Sequence, residues 1–190
     1  MDRIECSILS VKFAKKCSIL LDIQQVFEVE QLAYSVCDGL LEGNDLEGSK
    51  YQEVFISGKY EIIGYDCFLF SPQVETVIFE DGIKWIEGGA FKNLKNLKEV
   101  YLPKTLVSIG EMAFAYCEKL SSVSLGSGVV DMGYGVFAES PCVTTVLIDS
   151  ENPMFYADNN IIFKKDGKSI IYYPVGKVDT EYVIPQGIKE

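Results

Sequence analysis

The sequence predicts an α/β solenoid, rich in β, whose parallel strands stack at a 23-residue period behind an N-terminal helical cap. Two sets of apolar positions recurring at one spacing predict the solenoid, and helical periodicity upstream of them predicts the cap. The first set is Ile63-Gly64, Ile86-Glu87, Ile109-Gly110 and Met132-Gly133, each followed, five residues after the Ile or Met, by Phe68, Phe91, Phe114 or Phe137. The second set keeps the same register: Val74-x-x-Val77-x-Phe79, Leu97-x-x-Val100-x-Leu102, Leu120-x-x-Val123-x-Leu125 and Val143-x-x-Val146-x-Ile148.

In the second set the first apolar residue leads into a short strand, and the next two point inward at the strand period of two. One such strand cannot bury its face alone. Stacking the copies gives each unit a neighbour on either side and a shared core. Within a unit, a second extended piece is expected at Val107 to Ile109. After it, the run Gly110-Glu111-Met112-Ala113-Phe114 sends a small residue and a Phe into the turn of the coil, each buried Phe stabilising by about 1.5–3 kcal/mol.

The ends are less regular. Val54-Phe55-Ile56 lies 23 residues before Val77-Ile78-Phe79, which predicts a degenerate first rung. Tyr182-Val183-Ile184-Pro185 resembles Val100-Tyr101-Leu102-Pro103 and predicts a last rung, although Ile148 to Ile184 is 36 residues. In between, Ile161-Ile162-Phe163 and Ile170-Ile171-Tyr172 flank Lys165-Asp166-Gly167-Lys168, a hairpin signal. Alternatively, Ile171-Tyr172-Tyr173-Pro174 forms a rung of its own. The repeats are thus assigned to 53–190, with an interrupted repeat and hairpin at 149–181.

Residues 1–52 are assigned to a strand and helix cap. Leu9, Val11 and Phe13 alternate as a strand. Ile23, Val26, Phe27, Leu32, Ala33, Val36, Cys37, Leu40 and Leu41 follow helical spacing, with Asp22 and Gln25 as a capping box and Gly43 as a stop, so a helix is expected from about 23 to 42.

The run Leu94 to Leu125, and within it Pro103, Ile109, Gly110, Ala113, Phe114 and Cys117, is similar to the BspA-type leucine-rich repeat. The resemblance extends over about residues 53 to 190. Two places depart from the pattern: Trp85-Ile86-Glu87-Gly88-Gly89 brings a bulky residue into a turn, and Gly126-Ser127-Gly128 stands where Pro is usual. The resemblance implies a leucine-rich-repeat solenoid and a cell-surface or adhesion role in protein or host-surface recognition. It also implies a secreted or surface setting. A cytoplasmic setting is the alternative, because the first residues show no secretion signal and are interrupted by Lys12, Lys15 and Lys16. The open C-terminal repeat edge is expected to contact further repeats or another chain.

Composition removes several function classes. A formal net charge of −11 disfavours nucleic acid and anionic membrane surfaces, since both are bound through Lys and Arg. The absence of histidine removes the Ser-His and Cys-His nucleophile pairs and the usual zinc ligand sets. Cys6, Cys17, Cys37, Cys67, Cys117 and Cys142 form no CxxC and no framework spacing, so reduced and mostly buried thiols are expected. Asp149, Glu151, Asn152, Asp158 and Asn159 cluster without EF-hand spacing, and turn formation accounts for them more simply than calcium does. No glycine-rich phosphate loop and no membrane-spanning apolar stretch is present. An enzyme is not expected, nor is a cofactor or a metal.

What remains is surface. The residue between the two inward positions of each strand points outward, which predicts the binding column Phe55, Ile78, Tyr101, Ser124, Leu147 and Val183. At ~4.8 Å per strand it would run about 24 Å, suited to a protein or extended-chain ligand. The alternative partner is a glycan held by exposed aromatics, for which Trp85, Tyr101, Tyr172 and Tyr173 are the candidates.

Overall fold

The computed structural model describes residues 35–37, 40–42, 52–69, 71–177 and 181–189. The two apolar repeats become two kinds of strand. In chain order the elements are β1 (Ser35–Cys37), β2 (Leu40–Glu42), β3 (Glu53–Ile56), β4 (Ile62–Ile63), β5 (Thr76–Phe79), β6 (Trp85–Ile86) and β7 (Glu99–Tyr101). They continue as β8 (Ser108–Ile109), β9 (Ser122–Leu125), β10 (Asp131–Met132), β11 (Thr145–Ile148), β12 (Phe155–Asp158), β13 (Ile161–Lys164) and β14 (Ile170–Tyr172).

The longer strands pair in parallel, β3 to β5 to β7 and β9 to β11, with partners 23 residues apart such as Val54↔Val77 and Val123↔Val146. The ladder is interrupted between β7 and β9, where the Ser121 amide still donates to the Lys98 carbonyl at 3.4 Å. The two-residue strands form a second parallel ladder, β4-β6-β8-β10. A third ladder joins the turns: the amides of Phe68, Phe91 and Phe114 donate to the carbonyls of Ala90, Ala113 and Val136 at 2.7–2.9 Å. Each rung is thereby bonded to its neighbour along three edges.

The core lies between these ladders. Phe68, Phe91, Phe114 and Phe137 are fully buried and their rings stack, with centroids 4.9, 5.1 and 6.0 Å apart and interplanar angles of 10°, 6° and 21°. Such pairs contribute ~0.5–1.5 kcal/mol each beyond burial. To bring a Phe inward so soon after a strand, the turn begins on a left-handed residue in every rung: Asp66, Gly89, Met112 and Gly135 have φ between 50° and 66°. Gly110 answers to a different constraint, close approach, because a Cβ there would come within 2.5 Å of the Gly88 nitrogen.

Cys117 sits beside this stack. Its thiol donates to the Phe91 carbonyl at 3.4 Å, and its amide donates to Ser140 Oγ at 3.0 Å. One rung later Ser140 repeats the pattern, donating to the Phe114 carbonyl at 3.0 Å. A buried Cys or Ser at this position satisfies a carbonyl that the turn leaves inside the coil.

Three expectations need correction. The helix predicted from about 23 to 42 is not formed over its described part: β1 and β2 are an antiparallel pair, with Cys37 opposite Leu40. The apolar residues there fit helical spacing, but they flank Asp38-Gly39, a pair that favours two-residue hairpins. β2 also finds an edge to join, pairing in parallel with β4. The rest of that helix and the strand at Leu9 to Phe13 lie outside the described residues. Second, no α-helix occurs among the described residues, so the solenoid there is a β class rather than α/β; tight turns replace the helices. Third, Val183 and Ile184 belong to no strand and are 88% and 60% exposed.

The interval before them holds a three-stranded antiparallel meander, β12-β13-β14. The expected hairpin around Asp166-Gly167 joins β13 to β14, with Gly167 at φ 70°. A second hairpin joins β12 to β13 through Asn159 and Asn160, both at positive φ. The meander closes the end of the coil. Tyr172 sets its ring edge-on against Phe137 at 5.4 Å, Asn160 Oδ1 accepts the Val146 amide on β11, and buried Asn152 donates to the Gly126 and Val129 carbonyls.

Emptying the stack at its middle should be costly. Phe114→Ala is expected to lower the unfolding free energy by about 3–5 kcal/mol, measured by denaturant titration; a loss below about 1 kcal/mol would place this ring outside the core. The thiol gives a pH signature. Burial pushes Cys117 from its ordinary value near 9.0 up to about 12, so its contribution is complete below pH 9 and declines between pH 9 and 12, as the unfolded thiol ionises first. The slope is ~1.4 kcal/mol per pH unit. Cys117→Ser should remove that component from the stability-versus-pH curve, and identical curves for both proteins would contradict a protected thiol.

Candidate functional site

The outer face of the longer strands is defined by what the inward residues leave over. Val54, Val77, Val100, Val123 and Val146 are buried in successive strands, so their following neighbours are turned outward. Phe55 pairs with Ile78 and Ile78 with Tyr101, while Ser124 pairs with Leu147 across the second ladder. Phe55 and Ile78 are partly buried, Ser124 is exposed, and Tyr101 and Leu147 are 55% and 59% exposed. Val183, the sixth predicted member, lies outside this array. The five strand positions span about 19 Å at ~4.8 Å per strand.

Polar residues flank the column. Glu53, Thr76, Glu99, Ser122 and Thr145 form the next row outward. Tyr101 is braced by its own strand: its hydroxyl donates to Glu99 Oε2 at 2.7 Å, and that hydrogen bond, with the carboxylate's charge, raises the phenol's pKa. Beyond it Lys98 pairs with Glu75 at 2.6 Å. This exposed pair contributes little to stability, but it neutralises the lysine and leaves the face without a strong positive centre.

The aromatic candidates separate. Trp85 and Tyr173 are each 37% exposed, whereas Tyr172 is buried, its pKa pushed up to about 12 by desolvation. Tyr172 therefore belongs to the core and not to a glycan surface. Sequence reasoning missed Tyr65 and Tyr134, which are 75% and 81% exposed. Their signal was present: each follows the glycine of its Ile-Gly or Met-Gly pair, where side chains leave the coil.

The chemistry-bearing residues are arranged for structure. Among the described residues no group of three or more His, Cys, Asp or Glu could hold a metal ion. Asn152 is a buried plug, Asp149 Oδ1 accepts the Glu151 amide, and Asn159 and Asn160 form a turn. Among the described residues Cys67, Cys117 and Cys142 are free thiols; Cys67 and Cys117 are buried and Cys142 is exposed. Among the described residues no helix is long and apolar enough to cross a membrane.

The comparisons with known proteins agree with this geometry. The family model "BspA type Leucine rich repeat region" matches residues 43–165 in six copies. Among solved structures, the pneumococcal vaccine antigen PcpA is similar with a TM-score of 0.61 at 20% identity, over 83% of this chain and 45% of that one. A leucine-rich-repeat protein of T. pallidum, TpLRR, gives a TM-score of 0.53 at 24% identity, over 59% of this chain and 55% of that one. The chain thus spans about half the length of these structures, and at such identities the likeness concerns the fold. No curated protein matches. A family match over well more than half of the residues, together with the stacked rungs, shows that this chain belongs to the BspA-type leucine-rich-repeat family.

Proposed function

We propose that the chain is a non-catalytic binding module that recognises a protein partner through the outer face of its longer strands. One observation carries this reading: the outward column Phe55, Ile78 and Tyr101, continued past Ser124 to Leu147, in which Tyr101 and Leu147 stand well exposed beside a row of Glu, Thr and Ser. Exposed apolar side chains grouped on one face of a protein surface can mark an interaction site, and the family is commonly used for protein recognition or surface binding. Tyr101 has the qualities of an anchor. It is a large amphipathic ring, near the middle of the column, already oriented by Glu99, so little side-chain entropy remains to be lost on binding. Absence of histidine and the protected Cys117 thiol favour recognition over catalysis.

The partner expected from this face presents apolar side chains spaced along an extended edge or helix, with positive rather than negative charge at its margin. Tyr101→Ala combined with Leu147→Ala should weaken partner affinity at least tenfold, about 1.4 kcal/mol, while changing unfolding free energy much less than Phe114→Ala does. Titration calorimetry with the purified partner and both variants checks this. An unchanged dissociation constant for the double variant would remove the site from this face.

A further inference from the structure

A second surface departs from the repeat where the others keep it. At the corner after each two-residue strand, Gly64, Gly110 and Gly133 occupy one column, and its remaining member is Glu87. At Gly110 and Gly133 a Cβ would approach the preceding backbone to 2.5 and 2.4 Å. Glu87 thus places a full carboxylate where the next two corners exclude even a methyl. Two residues earlier, in β6, the column Ile62, Trp85, Ser108 and Asp131 carries its indole. From the preceding rung, Tyr65 lays its ring beside Gly88, where a Cβ would meet it at 3.0 Å, next to Glu87, whose carboxylate raises the phenol's pKa. On the other side, the Lys84 ammonium lies 5.6 Å from the Trp85 ring centroid while bridging to Glu61 at 3.0 Å.

We infer that Trp85, Tyr65, Glu87 and Lys84 form a binding site for a neutral hexose-containing glycan, distinct from the longer-strand face. The chemistry of the four groups selects this class. The Tyr65 ring, 75% exposed, and the part of the Trp85 indole that Lys84 leaves open offer apolar surface to the C–H side of a pyranose ring, which stacks on aromatics without needing a charge. Glu87 accepts, and Lys84 and Tyr65 donate, so hydroxyl groups at the ring's edge find both kinds of partner. A cationic ligand is disfavoured because Lys84 already stands at the indole. An acidic glycan is disfavoured by Glu87 and by the chain's net charge of −11.

Trp85 is the chain's one tryptophan, so its fluorescence reports on this site directly. The full chain would be titrated with neutral gluco-, manno- and galacto-hexasaccharides, a sialylated oligosaccharide and hexalysine, following fluorescence and, independently, equilibrium dialysis. Saturable binding of at least one neutral hexasaccharide is expected, with a tenfold or greater loss in Glu87→Gly. That variant installs the residue of the other three corners and should fold normally, as a thermal melt would verify. Tyr101→Ala with Leu147→Ala should leave glycan binding intact, which separates this site from the longer-strand face. Three results would overturn the inference: no neutral hexasaccharide bound by either method, response to hexalysine or the sialylated sugar alone, or undiminished binding by Glu87→Gly.

Discussion

Everything in this protein depends on one repeated junction: the turn amide of one rung bonding to the turn carbonyl of the next, with a phenylalanine ring lying on its counterpart behind it. Phe68, Phe91, Phe114 and Phe137 are separated by 23 residues each, and the amides of the first three donate 22 residues ahead. That offset sets the rise of the coil. Two-residue strands could not define a sheet by themselves, and the longer ladder is interrupted between β7 and β9. The turn ladder crosses that interruption, with Phe91 bonded to Ala113 and Phe114 to Val136. Left-handed backbone at Asp66 and Met112, where side chains are penalised by ~1 kcal/mol or more, is held in place by this junction.

A stack needs an end. Phe137 would present its face to solvent were it not met by Tyr172, and β11 would carry unpaired amides were Val146 not bonded to Asn160. The meander performs both tasks with side chains rather than with another parallel strand, and Asn152 ties its start to the preceding rung, donating to the Gly126 and Val129 carbonyls while accepting from the Met154 and Phe155 amides. This division between a constrained inside and a free outside is what makes the surface available for recognition. Column positions such as 55, 78, 101, 124 and 147 carry Phe, Ile, Tyr, Ser and Leu without disturbing the valines beneath them.

The repeat was legible because its constraints are periodic. Gly110, Ala113, Phe114 and the Cys117 or Ser140 position each answer to a contact that recurs in neighbouring rungs, so spacing alone exposes them. Features formed once were not legible in that way. Val36, Cys37, Leu40 and Leu41 satisfied a helix pattern, and only the free edge of β4 decides for a strand pair. Asp158 and Asn159 were read as turn formers, but the hairpin that Asn159-Asn160 makes between β12 and β13 occurs once and had no repeat to expose it. Tyr172 looks like an exposed aromatic until the end of the Phe stack is known, and Val183 looks like a strand residue because four neighbouring residues resemble Val100 to Pro103. The bulky Trp85 corner was visible as a departure, but the packing of Tyr65 beside Gly88 comes from adjacent rungs and has no signature along the chain.

The central claim is that rungs are joined through their turns as firmly as through their strands. Native-state hydrogen exchange measures this residue by residue. The account predicts that the amides of Phe68, Phe91 and Phe114 exchange as slowly as those of Val77, Val100 and Val146, through opening that involves whole rungs. Rapid exchange at the three phenylalanine amides, with protection confined to the strands, would contradict it.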